Sequence, residues 1–123
     1  MLALVVDDSR AMRSILTRLM TNLGFDVAQA GDGAQAMEVL DAGARPDVIL
    51  VDWNMPVMDG LTFIKTVRAR EDLRDISLMM VTTESEQNNI VRALAAGAHE
   101  YVVKPFTDDV IADKLTLLGL VPA

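Results

Sequence analysis

Five residues in this sequence combine a chemically useful side chain with one kind of placement: Asp7, Asp8, Asp52, Thr82 and Lys104 each end or directly follow a short apolar run. Carboxylates brought together repel one another by about 1 to 4 kcal/mol per pair at ~4 Å, according to the local dielectric, so the group calls for a cation. A hard divalent ion suits oxygen ligands, and Mg2+ usually takes one or two carboxylates while retaining several waters. Three carboxylates, one lysine and one Mg2+ sum to zero charge. Such a set fits phosphoryl transfer, in which the protein positions the group and neutralises its equatorial oxygens with a metal, a lysine and hydroxyl donors. Aspartate can itself accept the phosphoryl group covalently. Asp52 is the preferred acceptor because it ends a central strand as a single acid, whereas adjacent Asp7 and Asp8 suit a metal-binding pair.

The elements that must position these residues are readable from periodicity. Apolar runs at Leu2 to Val6, Val48 to Val51, Leu78 to Val81 and Tyr101 to Val103 suit strands buried on both faces, with a weaker strand at Asp26 to Ala30. Between them, apolar residues recur at helical spacing: Met12 to Leu23, Leu61 to Val67, Ile90 to Leu94 and Val110 to Leu118, with a shorter helix over Ala34 to Leu40. Each helix is expected to bury one stripe. Thr83 with Glu86 has capping-box spacing before the fourth helix, with Ser85 as a competing cap, and Gly24 and Gly97 stand where helix-ending glycines belong. Thr107 followed by Asp108 and Asp109 supplies a capping hydroxyl and first-turn acids for the fifth. Five βα units in strict alternation predict an α/β, doubly wound, five-stranded parallel sheet whose ligands bind beyond the carboxyl ends of the strands. All five chemically useful residues fall at that edge.

Composition narrows the function classes. At 123 residues the chain is expected to be one domain, 1–123, with no output domain. A formal charge of −7 argues against direct binding to nucleic acid or anionic membranes. The absence of cysteine excludes thiolate metal sites and cysteine nucleophiles. No apolar stretch approaches the ~20 residues of a membrane span, so the cytoplasm is the expected location. His99 is the only histidine; beside Glu100 at a strand start it reads as a turn or surface residue, so any phosphodonor histidine belongs to another protein. Trp53 reads as a loop anchor beside Asp52.

Four separated motifs resemble the response-regulator receiver family over essentially the whole chain: Leu4-Val5-Val6-Asp7-Asp8-Ser9, Asp52-Trp53-Asn54-Met55-Pro56-Val57-Met58-Asp59-Gly60, Val81-Thr82-Thr83 and Lys104-Pro105-Phe106. The segments around Trp53 and Tyr101 are most similar to the chemotaxis members. The resemblance implies strand order 2-1-3-4-5 and Asp52 as phosphoacceptor. It also implies Mg2+ held directly by Asp8, Asp52 and the Asn54 carbonyl, and by Asp7 through water. It makes Thr82 and Lys104 partners of the phosphoryl oxygens, Tyr101 a switch residue, Lys104-Pro105 a cis peptide, and Asn54 and Glu84 influences on hydrolysis of the acyl phosphate. The partners implied are a histidine kinase as donor and a downstream protein on the face of helix 4, strand 5 and helix 5, near Gln87, Val91, Tyr101 and Lys114. The protein would be a monomeric phosphorylation switch, not a turnover enzyme, with flagellar motor control in chemotaxis as the expected pathway. The alternatives are a phosphorelay intermediate or a receiver detached from its output domain.

Two other classes fit less well. An aspartyl-phosphate phosphohydrolase of the haloacid-dehalogenase type needs Asp-x-Asp after the first strand, where this chain has adjacent Asp7 and Asp8. A flavodoxin-like carrier needs a hydroxyl-rich phosphate loop there, and Asp7-Asp8-Ser9-Arg10 would repel one.

Overall fold

In a computed structural model that describes residues 1–120, the apolar runs become strands and the periodic segments become helices. The order is β1 (Leu2–Val6), α1 (Arg10–Asn22), β2 (Asp26–Ala30), α2 (Gly33–Asp41), β3 (Val48–Val51), α3 (Gly60–Ala69), β4 (Ser77–Thr82), α4 (Gln87–Ala96), β5 (Glu100–Val103) and α5 (Asp108–Leu117). A short 3-10 turn, Glu71–Leu73, precedes β4. The strands pair in parallel in the order β2-β1-β3-β4-β5, as the resemblance implies and as is known for doubly wound sheets of this kind. The expected domain extends to Ala123, and its last three residues lie outside the described ones. Among the described residues no helix is long and apolar enough to cross a membrane.

Side chains alternate across a strand, so each strand feeds two cores. Leu4, Val6, Ile49, Val51, Leu78 and Met80 pack with α2, α3 and α4 on one face. Ala3, Val5, Val48, Leu50, Met79 and Val81 pack with α1 and α5 on the other. All twelve are essentially inaccessible, which explains why the strands read as continuous apolar runs.

The helices depart from the expected stripes at several positions. Ile15 on α1 is 52 % exposed, Val91 on α4 is 56 % exposed, and Leu94 and Val110 are also exposed. Ala93 is the one buried residue of α4. This helix lies beside α3 over the edge of the sheet, so neighbours cover only a narrow sector of it. Its capping box is absent too: Glu86 occupies the N-cap position without a side-chain bond. The polar groups there turn towards the strand end instead. The Glu84 N–H donates to Thr82 Oγ1 at 3.3 Å and its carboxylate accepts from Asn89 Nδ2 at 2.9 Å. Thr107 caps α5 in position, but its hydroxyl makes no capping bond; a backbone bond from the Val110 N–H to the Thr107 carbonyl closes the turn. Gly24 and Gly97 end their helices with left-handed φ of 96° and 121°, as expected.

His99 is exposed in the α4–β5 connection, as expected, and its ring is tied to β4 and to Arg68. Its Nδ1 accepts from the Leu78 N–H at 3.1 Å and lies 3.1 Å from Arg68 Nη2. Partial burial, then the Arg68 charge, lowers its pKa below the ordinary 6.5. As pH falls through the unfolded value near ~6.5, the unfolded chain takes up a proton that the folded ring resists, so stability declines on acidification. Urea midpoints measured from about pH 7 to pH 5 should therefore fall in the wild type, and His99→Gln should flatten that slope. An equal slope in the variant would exclude His99 as its source.

Candidate active site at the strand ends

Register brings the acids together. Val6 lies opposite Val51 in the β1–β3 pair, so Asp7 and Asp52 emerge side by side, with the Asp52 N–H donating to the Val6 carbonyl at 3.0 Å. On the far side, Val103 pairs with Thr82, and the Lys104 N–H donates to the Thr82 carbonyl at 2.8 Å. From there the Lys104 side chain reaches back across β4. Its Nζ donates to Asp7 Oδ2 at 2.8 Å and to Asp52 Oδ2 at 3.2 Å. The Lys104-Pro105 peptide is cis.

Asp7 is 1 % exposed and Asp52 9 %, whereas Asp8 is open to solvent. One carboxylate oxygen from each of the three lies within 4.8 Å of the others. The oxygens that do not meet Lys104 accept backbone N–H groups: Asp7 Oδ1 accepts the Ser9 N–H at 2.8 Å, and Asp52 Oδ1 accepts the Trp53 N–H at 2.7 Å. Burial alone would lower the Lys104 pKa, but the hydrogen bond it donates to Asp7 and the charges of Asp52 and Asp7 outweigh burial and raise the pKa. The ammonium is therefore a permanent charge at neutral pH. An all-oxygen donor set with this excess of negative charge suits a hard divalent cation, the class to which Mg2+ belongs.

Asp8 and Asn54 line an open cleft with Met55, Pro56 and Asp59. Thr82 is fully buried at the end of β4 and accepts from Glu84, in the loop before α4. Tyr101, half-buried on β5, donates its hydroxyl to the Glu84 carbonyl at 2.7 Å. Burial first, then the charges of Glu84 and Asp52, pushes this phenol up to about 12. The structure thus gathers Asp7, Asp8, Asp52 and Lys104 into one cluster. It places Asn54 at its rim, and joins Thr82, Glu84 and Tyr101 as a second group alongside.

Some contributors escaped the sequence reading. Arg13 Nη1 donates to the Asp7 carbonyl at 2.7 Å, adding a second cation near the cluster. Asp59 caps α3, accepting the Thr62 N–H at 2.8 Å. Gly60, the first residue of α3, sits against the Asp52 backbone and donates its N–H to the Trp53 carbonyl at 2.9 Å. An Asp followed by helical periodicity was a readable signal for the cap; the Gly60 contact had none. Trp53 is a packed anchor, as expected, with Arg92 of α4 over its ring at 5.7 Å from the centroid.

Known proteins resemble this chain in sequence and fold. Over 116 residues, 94 % of each chain, the sequence is 45 % identical to the chemotaxis protein CheY1 of Helicobacter pylori strain J99. The fold matches the chemotaxis protein CheY4 of Vibrio cholerae with a TM-score of 0.87 and 34 % identity, over 94 % of this chain and 96 % of that one. It also matches a Pseudomonas aeruginosa sensor histidine kinase receiver domain that has a magnesium ion coordinated in its active-site cleft. There the TM-score is 0.85 at 28 % identity, over 94 % of both chains. Residues 3–116 match the response regulator receiver domain, and the chain belongs to that family.

Proposed function

We propose that this protein is a two-component phosphorylation switch of the chemotaxis type, acting in the cytoplasm as a single receiver domain and a monomer. The observation that carries the reading is the Lys104 ammonium bridging Asp7 and Asp52, with Asp8 beside them. An oxygen of Asp52 attacks the phosphorus of a kinase phosphohistidine. The P–N bond breaks, its electron pair returns to the imidazole, which takes a proton, and an acyl phosphate forms on Asp52. Water later attacks that phosphorus and releases inorganic phosphate and the free carboxylate.

Asp8, Asp52 and the Asn54 carbonyl would hold Mg2+, with Asp7 acting through water; when bound, the ion neutralises charge on the phosphoryl oxygens. Lys104 pairs with those oxygens in exchange for a carboxylate, and the Thr82 hydroxyl donates to them. Asn54 and Glu84 flank the path of the hydrolytic water. Movement of the Thr82 loop changes the Glu84 carbonyl that holds Tyr101, so phosphate at Asp52 alters the surface of α4, β5 and α5 and the partner it binds. Gln87, Val91, Tyr101 and Lys114 supply that surface. The chemotaxis names of the relatives support a flagellar motor component as target.

Incubation with acetyl phosphate and Mg2+ should add the mass of one phosphoryl group to the wild type and none to Asp52→Asn. No gain in the wild type, or an equal gain in the variant, would reject the reading. Capture of a flagellar component only by the phosphorylated form would separate chemotaxis from a phosphorelay intermediate or a detached receiver.

A further inference from the structure

Trp53 is held on three sides. Its backbone N–H donates to Asp52 Oδ1 at 2.7 Å, its carbonyl accepts from the Gly60 N–H at 2.9 Å, and its ring packs partly against the core. The remaining contact is with Arg92, whose guanidinium carbon stands 5.7 Å from the ring centroid. Arg92 joins no carboxylate among the described residues, unlike Arg45, Arg70, Lys104 and Lys114, each of which does. Its other polar neighbour is Asn89 Oδ1 at 3.4 Å, one turn earlier on α4. Asn89 in turn donates to the Glu84 carboxylate at 2.9 Å, and Glu84 bonds both Thr82 and Tyr101 through its backbone. The contacts therefore form a path from Asp52 through Trp53, Arg92, Asn89 and Glu84 to Thr82 at the end of β4.

From this path we infer that Arg92 is a positioning residue for Asp52, coupling α4 to the phosphoacceptor through the ring and backbone N–H of Trp53 and favouring the resting arrangement. The direction follows from the Lys104 ion pair: the stack is formed in the arrangement in which Lys104 holds the Asp7 and Asp52 carboxylates, the pairing it would exchange for phosphoryl oxygens. Part of the inference rests on the proposed phosphorylation of Asp52. A cation over a partly buried indole favours the stacked state by at least about twofold to fivefold. Its loss should raise the population of the arrangement that phosphate stabilises by the same factor.

Two measurements decide it. Acetyl phosphate labelling of Arg92→Ala should run about twofold to fivefold faster than wild type, while Arg92→Lys, which keeps a cation, should fall closer to wild type. A double-mutant cycle of Asp52→Asn with Arg92→Ala, read as urea midpoints without any phosphodonor, should be non-additive. Additive midpoints would overturn the inference, as would an Arg92→Ala labelling rate at or below that of wild type. A wild type that gains no phosphate would defeat the phosphorylation reading alone, because the cycle still tests the coupling.

Discussion

Lys104→Met is expected to destabilise the metal-free protein by about 3 kcal/mol, the cost typical of removing one member of a buried ion pair. Methionine keeps most of the side-chain volume, so the effect isolates the charge. Asp7 and Asp52 would then face each other with their shared ammonium gone, although both accept a backbone N–H on the other oxygen. Mg2+ should repair part of the loss, since an ion at ~100 times its Kd adds about 2.7 kcal/mol to the folded state. The measurement is a pair of urea titrations, with Mg2+ and with a chelator. A variant as stable as wild type in chelator would show that Lys104 does not balance these acids. One that Mg2+ fails to stabilise would remove the metal from the proposed site.

Gly60→Ala is expected to be as damaging for a purely steric reason. A Cβ on Gly60 would lie 2.0 Å from the Asp52 carbonyl oxygen, 2.9 Å from its carbon and 3.0 Å from the Trp53 Cα. Those are backbone atoms, so no rotamer change relieves the overlap. Either the start of α3 lifts from the sheet, losing the Gly60 N–H bond to Trp53, or the end of β3 shifts and carries the Asp52 carboxylate away from Lys104. Overpacking of this severity costs about 3 kcal/mol or more. The urea midpoint should fall accordingly, and the protein that remains folded should label slowly with acetyl phosphate. A variant with normal stability and labelling would mean that the helix can retreat without moving Asp52.

Much of this architecture is legible in the sequence. β1 and β3 run over the residues their apolar patterns predicted, because strands buried on both faces leave no polar position inside them, while β2, also placed as expected, carries exposed Asp26 and Gln29 at the edge of the sheet. Once the sheet was known to be parallel, Asp7, Asp8, Asp52 and Lys104 had to share one edge, since all strands end on the same side. Contacts between elements distant in sequence were less legible. Periodicity tells which way Val91 and Leu94 point on a helix, but not how much of that helix its neighbours cover. Spacing suggested a cap from Thr83 and Glu86, yet Thr82 and Asn89 compete for the polar groups of that loop. Neither the Gly60 approach nor the Arg92 stack leaves a local trace, because each depends on how α3 and α4 settle against the end of β3.

β5 pairs with β4 on one side only. A strand in that position presents unpaired backbone groups that invite pairing with another chain, a hazard that proteins blunt with charge and with flanking structure. Here the Glu100–Lys114 ion pair at 2.8 Å and helices α4 and α5 flank the boundary, while Val103 remains open. A target seated on α4, β5 and α5 would therefore close the open margin of the sheet as well as read Tyr101. Signalling and protection against self-association would share one surface.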